Sequence, residues 1–307
     1  MEPKPEIVIA GSHAPGLFMR VKRPPIAGQT VIGWDYQEPV DGGKGSNQAI
    51  AAARLGGQVR FAGCLGQDRL GDQAIQWMEQ EGIDTRYVRR SPTAATGIGF
   101  IMLDEHGVPA MVTSMGANAE FTETDVDRAL EDLGPGQVLL TQFEIIPEIS
   151  IYAARLACQK GVLAIVNPAP APESLITGLD CADILVPNES EARQILGLPL
   201  DFEIEAKEMA SLVCRVTGVE CVIITLGDQG VAGRDQEGSW WVKPIPVEVV
   251  DTSGAGDVFC AALAVGLARG KNVRAASEWA CLAATLSVTR PGTIPSFPRQ
   301  DEVERFG

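Results

Sequence analysis

Two rhythms of apolar and polar positions alternate along this chain from one end to the other. Short continuous apolar runs, rich in Val and Ile, occur at Ile7–Gly11, Val59–Cys64, Val138–Thr141, Leu163–Asn167, Ile184–Pro187 and Val222–Thr225. Runs of that length without alternation predict strands buried on both faces. Stretches with helical periodicity fall between them, at Ser46–Leu55, Leu70–Glu81, Glu123–Leu133, Glu148–Lys160, Glu189–Leu196 and Glu205–Val216. A β-α alternation of this kind predicts an α/β fold, a doubly wound, mostly parallel sheet with helices on both faces. The last third adds a strand pair, Gly230–Asp235 and Ser239–Pro244, turning at Glu237-Gly238, and then two helices, Asp257–Arg269 and Val273–Thr289.

Two segments break the rhythm. Leu17–Pro39 and Thr96–Thr113 read as extended chain with turn residues, and Asp104-Glu105-His106-Gly107 predicts a hairpin turn inside the second. Together they predict a small β-sheet lid over the carboxyl ends of the main strands, where open α/β sheets bind ligands. No repeat or low-complexity tract divides the chain, so a single domain over residues 1–307 is expected.

Composition narrows the partners. A formal charge of −15 opposes nucleic acid and anionic membrane surfaces, though local basic groups can still hold an anionic substrate. The first apolar run is too short for a signal sequence, which makes a cytoplasmic protein the expectation. Seven cysteines without a CxxC pair, and two histidines, argue for reduced thiols and against a zinc site.

The candidate chemistry sits in two glycine-rich turns that each open a helix. In Asp251-Thr252-Ser253-Gly254-Ala255-Gly256-Asp257, small residues let a phosphate approach backbone amides at a helix N-terminus. Asp257 repels an anion there, but it suits a base that takes the proton of an attacking hydroxyl. The simpler reading is a strand-to-helix turn with Asp257 as an N-terminal charge. The second turn, Asp41-Gly42-Gly43-Lys44-Gly45-Ser46-Asn47-Gln48, lies far away in sequence and suggests one site built from both ends of the chain. The pair points to phosphoryl transfer to an alcohol.

With these turns, Asn167-Pro168-Ala169-Pro170, Pro187-Asn188-Glu189-Ser190-Glu191-Ala192 and Thr225-Leu226-Gly227, nearly the whole chain resembles the ribokinase branch of the PfkB carbohydrate kinases. The resemblance implies a ribokinase-like fold and an ATP-dependent transfer to a hydroxymethyl group of a sugar or nucleoside, with Mg²⁺. It makes Asp257 the catalytic base and Gly254, Ala255 and Gly256 an anion hole. It assigns the nucleotide and its phosphates to Asn188, Glu191, Thr225, Leu226, Gly227, Gly230, Gly256 and Cys281. It gives the acceptor to Gly43, Lys44, Asn47, Glu144 and Asp257. It aligns Asp251, Ser253, Ser287, Arg290, Gly292 and Ser296 with a K⁺ site built mainly from backbone oxygens. It also implies a homodimer formed through the lid. Bland alternatives stand beside several of these: a capping box for Asn188 and Glu191, a surface position for Lys44 and Glu144, a core position for Cys281.

One stretch departs from the pattern. Ribokinases carry an Asn and an Asp after the first strand that hold ribose hydroxyls; Ala14 and Gly16 stand there in Gly11-Ser12-His13-Ala14-Pro15-Gly16. A site lacking those groups loses the recognition they supply, so an acceptor other than D-ribose is expected, with Ser12, His13 and Asp41 as candidate replacements. The lid candidates Met19, Trp34, Met102 and Met115 suit a larger or less polar acceptor, or core or dimer packing. A nucleoside kinase and a binding protein that has lost catalysis are the rival readings. No G-x-x-x-x-G-K-[ST] occurs, which excludes a P-loop kinase, and no G-x-G-x-x-G follows the first strand.

Overall fold

The computed structural model describes residues 6–37, 42–106, 108–172 and 177–307. Strands β1 (Glu6–Ala10), β4 (Gln58–Gly66), β5 (Asp84–Ser91), β8 (Val138–Gln142), β9 (Leu163–Asn167), β10 (Ile184–Leu185), β11 (Cys221–Thr225), β12 (Val231–Asp235) and β13 (Gly238–Val242) form one sheet in the order β13-β12-β11-β10-β9-β8-β1-β4-β5. From β11 to β5 neighbouring strands run parallel; β12 is antiparallel to β11 and to β13. The predicted strand pair therefore extends the main sheet at one edge.

Side-chain alternation explains why these strands read as unbroken apolar runs. Ile7 and Ile9 enter a core with Leu140, Ile165 and Ile223 on one face of the sheet. Val8 and Ala10 enter a second core with Leu139, Val166 and Val222 on the other. Both faces are covered, so both sets of positions are apolar. Helices α1 (Lys44–Arg54), α2 (Arg69–Gln80), α7 (Ala255–Ala268), α8 (Val273–Ser287) and α9 (Gln300–Phe306) pack on the first core, and α3 (Glu123–Leu130), α4 (Pro147–Lys160), α5 (Glu189–Ile195) and α6 (Ala206–Thr217) on the second.

Helix starts follow local chemistry. Asp68 caps α2 by accepting from Gly71 N–H at 2.9 Å, and Thr122 and Asp125 close a reciprocal capping box on α3. Helix α4 opens on Pro147 and ends at Gly161 in the left-handed region (φ 70°).

The segments expected to form a lid make a separate four-stranded sheet, β3-β2-β6-β7, of β2 (Gly16–Val21), β3 (Gly33–Gln37), β6 (Ile98–Leu103) and β7 (Pro109–Ser114). The expected hairpin joins β6 to β7, and Asp104 Oδ1 accepts from the N–H groups of His106 and Val108 to hold its turn. Gly107 of that turn, Glu38 and Pro39 of the first lid segment, and Asp41 lie outside the described residues.

Two elements are missing from the sequence reading, and one boundary needs correction. Strand β5 is absent from the predicted elements, because its sequence DTRYVRRS is the polar pattern of an edge strand. Helix α9 is too short and too charged to read as a helix from sequence. Helix α7 starts at Ala255, two residues before the expected boundary, so Asp257 lies within its first turn.

Candidate active site

The two glycine turns meet. The C-terminal ends of β1, β8, β9 and β11 open toward the N-termini of α1, α5 and α7, and the candidate side chains gather there. Asp257 is 6% exposed, and both of its carboxylate oxygens accept hydrogen bonds from α1. Asn47 Nδ2 donates to Oδ2 and Gln48 Nε2 to Oδ1, each at 3.0 Å. Residues 210 positions apart are thus joined by a side-chain contact, which ties the first quarter of the chain to the last.

Burial of a carboxylate is costly unless donors and cations offset it. For Asp257 burial dominates and holds its pKa above the usual carboxylate value, while Lys44, Asn47 and Gln48 pull the other way. Lys44 feels the reciprocal field. Burial works against its charge, but Asp257, Glu144 and Glu191 outweigh it and raise its pKa. Lys44 is thus a half-buried cation facing three carboxylates, not a solvent-facing lysine.

Among the residues expected to hold the acceptor, Glu144 follows β8 and one of its oxygens, Oε2, accepts from both Ser12 Oγ and Lys44 N–H at 2.7 Å. Gly43 is the N-cap of α1 with φ 89°, and a Cβ there would lie 2.7 Å from His13 Cα. The turn therefore needs glycine both for its backbone angle and for close packing on the loop after β1. His13 is buried. Its N–H donates to Asn118 Oδ1 at 3.0 Å, its carbonyl accepts from Asn118 Nδ2 at 2.9 Å, and its Nδ1 lies 2.9 Å from Ser46 Oγ. Burial lowers its pKa to about 4, against an opposing pull from Asp68. His13 is a clamp on the loop after β1, and no contact joins it to Asp257 or Glu144 among the described residues.

At the other turn, Gly254 is the N-cap of α7 in the left-handed region (φ 74°), and a Cβ there would lie 2.7 Å from both Phe297 and Thr293. Ala255 N–H turns back to Thr252 O at 3.2 Å. The donors that a helix start leaves over therefore begin at Gly256, where an added Cβ would meet nothing within 4 Å. That room and those amides fit a phosphate group.

Asn188 and Glu191 do form a capping box: Asn188 Oδ1 accepts from Glu191 N–H and Glu191 Oε2 from Asn188 N–H, both at 2.8 Å. The cap leaves Glu191 buried and within the field of Lys44 and Asp257; burial chiefly raises its pKa. A bridge between Asn188 and Thr225 sets the loop Thr225, Leu226, Gly227 and Gly230 beside that cap, with Leu226 N–H donating to Gly230 O at 2.8 Å. Cys281 stands apart. It lies on α8 within the first core at 6% exposure, with its thiol pKa pushed up to about 12 by burial.

Around the aligned cation positions, side chains serve the fold. Asp251 accepts from Ser253 N–H and Gly292 N–H at 2.9 Å, stapling two loops together. Ser287 and Ser296 donate to the carbonyls of Ala284 and Thr293, and Arg290 pairs with Glu302 at 2.7 Å. Among the described residues no three His, Cys, Asp or Glu side chains cluster as a metal cage, and no helix is long and apolar enough to cross a membrane.

Three functional candidates escaped sequence reasoning: Gln48, Gln142 and Asn167. Gln142 Nε2 donates to Gln48 Oε1 at 2.6 Å, and Asn167 Oδ1 accepts from Gln48 Nε2 at 3.3 Å. Gln48 and Asn167 fall within the quoted motifs, which is the one signal that could have found them, but an amide carries no charge signal of its own.

A family model described as pfkB family carbohydrate kinase matches residues 36–300. The chain belongs to the pfkB family of carbohydrate kinases. Among its relatives, a ribokinase of Haemophilus influenzae is 36% identical over 279 residues, covering 91% of this chain and 90% of that protein. A deoxyribokinase of Salmonella typhi is 32% identical over 303 residues, covering 98% of each. The solved structure of Arabidopsis thaliana ribokinase in complex with ribose and ATP superposes with a TM-score of 0.87 at 30% identity, over 99% of each chain. The pfkB kinase described here is therefore a phosphotransferase with the ribokinase-like fold and an ATP-binding family site.

Proposed function

We propose that this kinase transfers the γ-phosphoryl group of ATP to a hydroxyl, most simply a hydroxymethyl, of a sugar or sugar-like alcohol other than D-ribose. The observation that carries this reading is the buried Asp257 carboxylate, held on both oxygens and set in the first turn of the helix whose amides face the site. The acceptor hydroxyl gives its proton to Asp257 as its oxygen attacks phosphorus. The N–H groups left free at the start of α7, from Gly256 onward, then meet charge growing on the phosphoryl oxygens, a contribution of about 3 kcal/mol per donor in comparable sites, while Gly254 and Ala255 shape the turn that presents them. Lys44, Asn47, Gly43 and Glu144 orient the acceptor, and Lys44 also offsets the charge of Asp257.

The nucleotide would lie along Thr225, Leu226, Gly227 and Gly230, with Asn188 near its phosphates and Cys281 backing the base from inside the first core. Mg²⁺, when bound, neutralises phosphate charge; Glu191 fits a water-mediated contact to it, since magnesium keeps much of its hydration and needs few protein carboxylates. Carbonyl oxygens of Asp251, Ser253, Ser287, Arg290, Gly292 and Ser296 would hold K⁺, a reading supported by the Asp251 staple that draws residues 251–253 against Gly292. The lid supports a homodimer: Ile32, Trp34, Tyr36, Met111 and Val112 are exposed at 89, 49, 54, 65 and 64%. Reduced thiols and the acidic surface suit the cytoplasm.

Exclusion of ribose rests on Ala14 and Gly16, which offer no side-chain hydrogen bond where the resemblance expects two. A screen of ADP release over ribose, 2-deoxyribose, hexoses, polyols, sugar acids and nucleosides tests the reading. The expected result is an acceptor whose kcat/KM exceeds that of ribose at least tenfold; ribose matching the best acceptor overturns it.

A further inference from the structure

The hydrogen bonds behind Asp257 run in one direction. A carboxylate has acceptors alone, so Gln48 must turn its Nε2 toward Asp257 Oδ1. Its Oε1 then faces Gln142, which must offer its own Nε2, at 2.6 Å. Asn167 cannot reverse the order: its Nδ2 is committed to Val186 O at 2.8 Å, which leaves its Oδ1 to accept from Gln48. Gln48 and Gln142 are fully buried. The fold also makes space for this arrangement, because a Cβ on Gly11 at the end of β1 would overlap Gln142 Oε1.

We propose that Gln142 and Gln48 are positioning residues that form a one-way amide relay, fixing the Asp257 carboxylate in its ionised, correctly turned form for proton abstraction. This rests on Asp257 being the base. Gln142 never reaches the reacting atoms; it acts by holding Gln48 Oε1, so that Gln48 cannot swing its own oxygen toward the carboxylate. Asn47 clamps the other oxygen at Oδ2. The charged and titratable groups facing Asp257 are Lys44 on α1, Glu144 after β8, Glu191 on α5 and Cys260 on α7, and none of them changes in the variants below.

The test is the titration of the Asp257 carboxyl by carbon NMR in wild type, Gln48→Met, Gln142→Met and the double variant, assigned against Asp257→Asn, alongside the acid limb of kcat with the acceptor from the screen. Losing a donor to a charged group moves such a midpoint up by about 1–2 pH units. That shift is expected for Gln48→Met, with roughly a third to a half of it for Gln142→Met. The double variant should match Gln48→Met, because Gln142 has nothing to act through once Gln48 is gone. KM for ATP should stay at its wild-type value. An unshifted midpoint in Gln142→Met, or additive shifts in the double variant, overturns the relay and leaves Gln142 a packing residue. If Gln142→Met does not fold, Gln142→Leu carries the same comparison. Full turnover by Asp257→Asn would instead defeat the base assignment, and the NMR midpoints would still report on the relay.

Discussion

The proposed phosphoryl end of the site and its proposed acceptor end are built differently. Around Asp257, Asn47 and Gln48 of α1 engage both carboxylate oxygens, and Gln142 of β8 and Asn167 of β9 hold Gln48 from behind. Around the loop after β1, Ser12 and Lys44 N–H reach Glu144, while Ala14 and Gly16 contribute no polar side chain and the lid strands begin at once. The first end sits at the start of α7, against the first core; the second lies where the main sheet hands over to the small sheet. Chemistry common to a family belongs in the rigid part, and discrimination between acceptors belongs where a loop and a small sheet can change without disturbing the core.

The sharpest way to break the comparison is Asp257→Asn. Turnover should fall about a thousandfold, the scale of a general base. Stability should move the other way. The folded pKa of Asp257 is raised, so the group stabilises the fold below its unfolded value of 3.8, and that contribution is lost as pH rises. At pH 7 the amide should therefore melt at or above wild type, with Asn47 turned to offer its free Oδ1. A variant that is inactive because it is unfolded would contradict this, and a melting curve distinguishes the two.

His13, the buried clamp on the loop after β1, gives the next largest effect. Its folded pKa of about 4 lies below its ordinary value of 6.5. Its contribution is complete above pH 6.5 and disappears as pH falls to 4, a loss of about 3 kcal/mol for a buried group. Denaturant titrations across that window should show the slope in wild type and a flatter profile in His13→Gln.

Gly254→Ala and Gly256→Ala separate geometry from anion binding within one turn. At Gly254 the positive φ and the contacts with Phe297 and Thr293 should cost about 2 kcal/mol of stability. At Gly256 stability should hold within about 0.5 kcal/mol while kcat drops, since the new methyl occupies the phosphate's approach.

The smallest effect sharpens the acceptor end. Ala14→Asn with Gly16→Asp should raise kcat/KM for ribose about tenfold, the value of one or two hydrogen bonds. A Cβ at Gly16 meets the flexible end of Ile101 at 3.2 Å, so the fold should accept the change.

The sheet, both glycine turns and the lid were legible in sequence because each leaves a local mark: unbroken Val/Ile runs, glycine before a helix, extended chain without period. Asp257 stood out in sequence because a carboxylate is at odds with the bare amides of its glycine turn, and the structure adds its burial and its contacts with α1. Strand β5 was not, since a polar edge strand has the composition of a loop, and Gln142 was not, since its partner Gln48 lies 94 residues away. Lys44 and Glu144 could be surface groups on paper; folding puts them in one electrostatic cluster with Asp257.

The most direct measurement is a crystal structure with a non-hydrolysable ATP analogue and the acceptor selected by the screen. An Asp257 oxygen within about 2.6–3.2 Å of the acceptor hydroxyl, with Gly256 N–H on the γ-phosphate, is the expected arrangement. An Asp257 side chain turned away from the acceptor, or a triphosphate bound away from the start of α7, would contradict it.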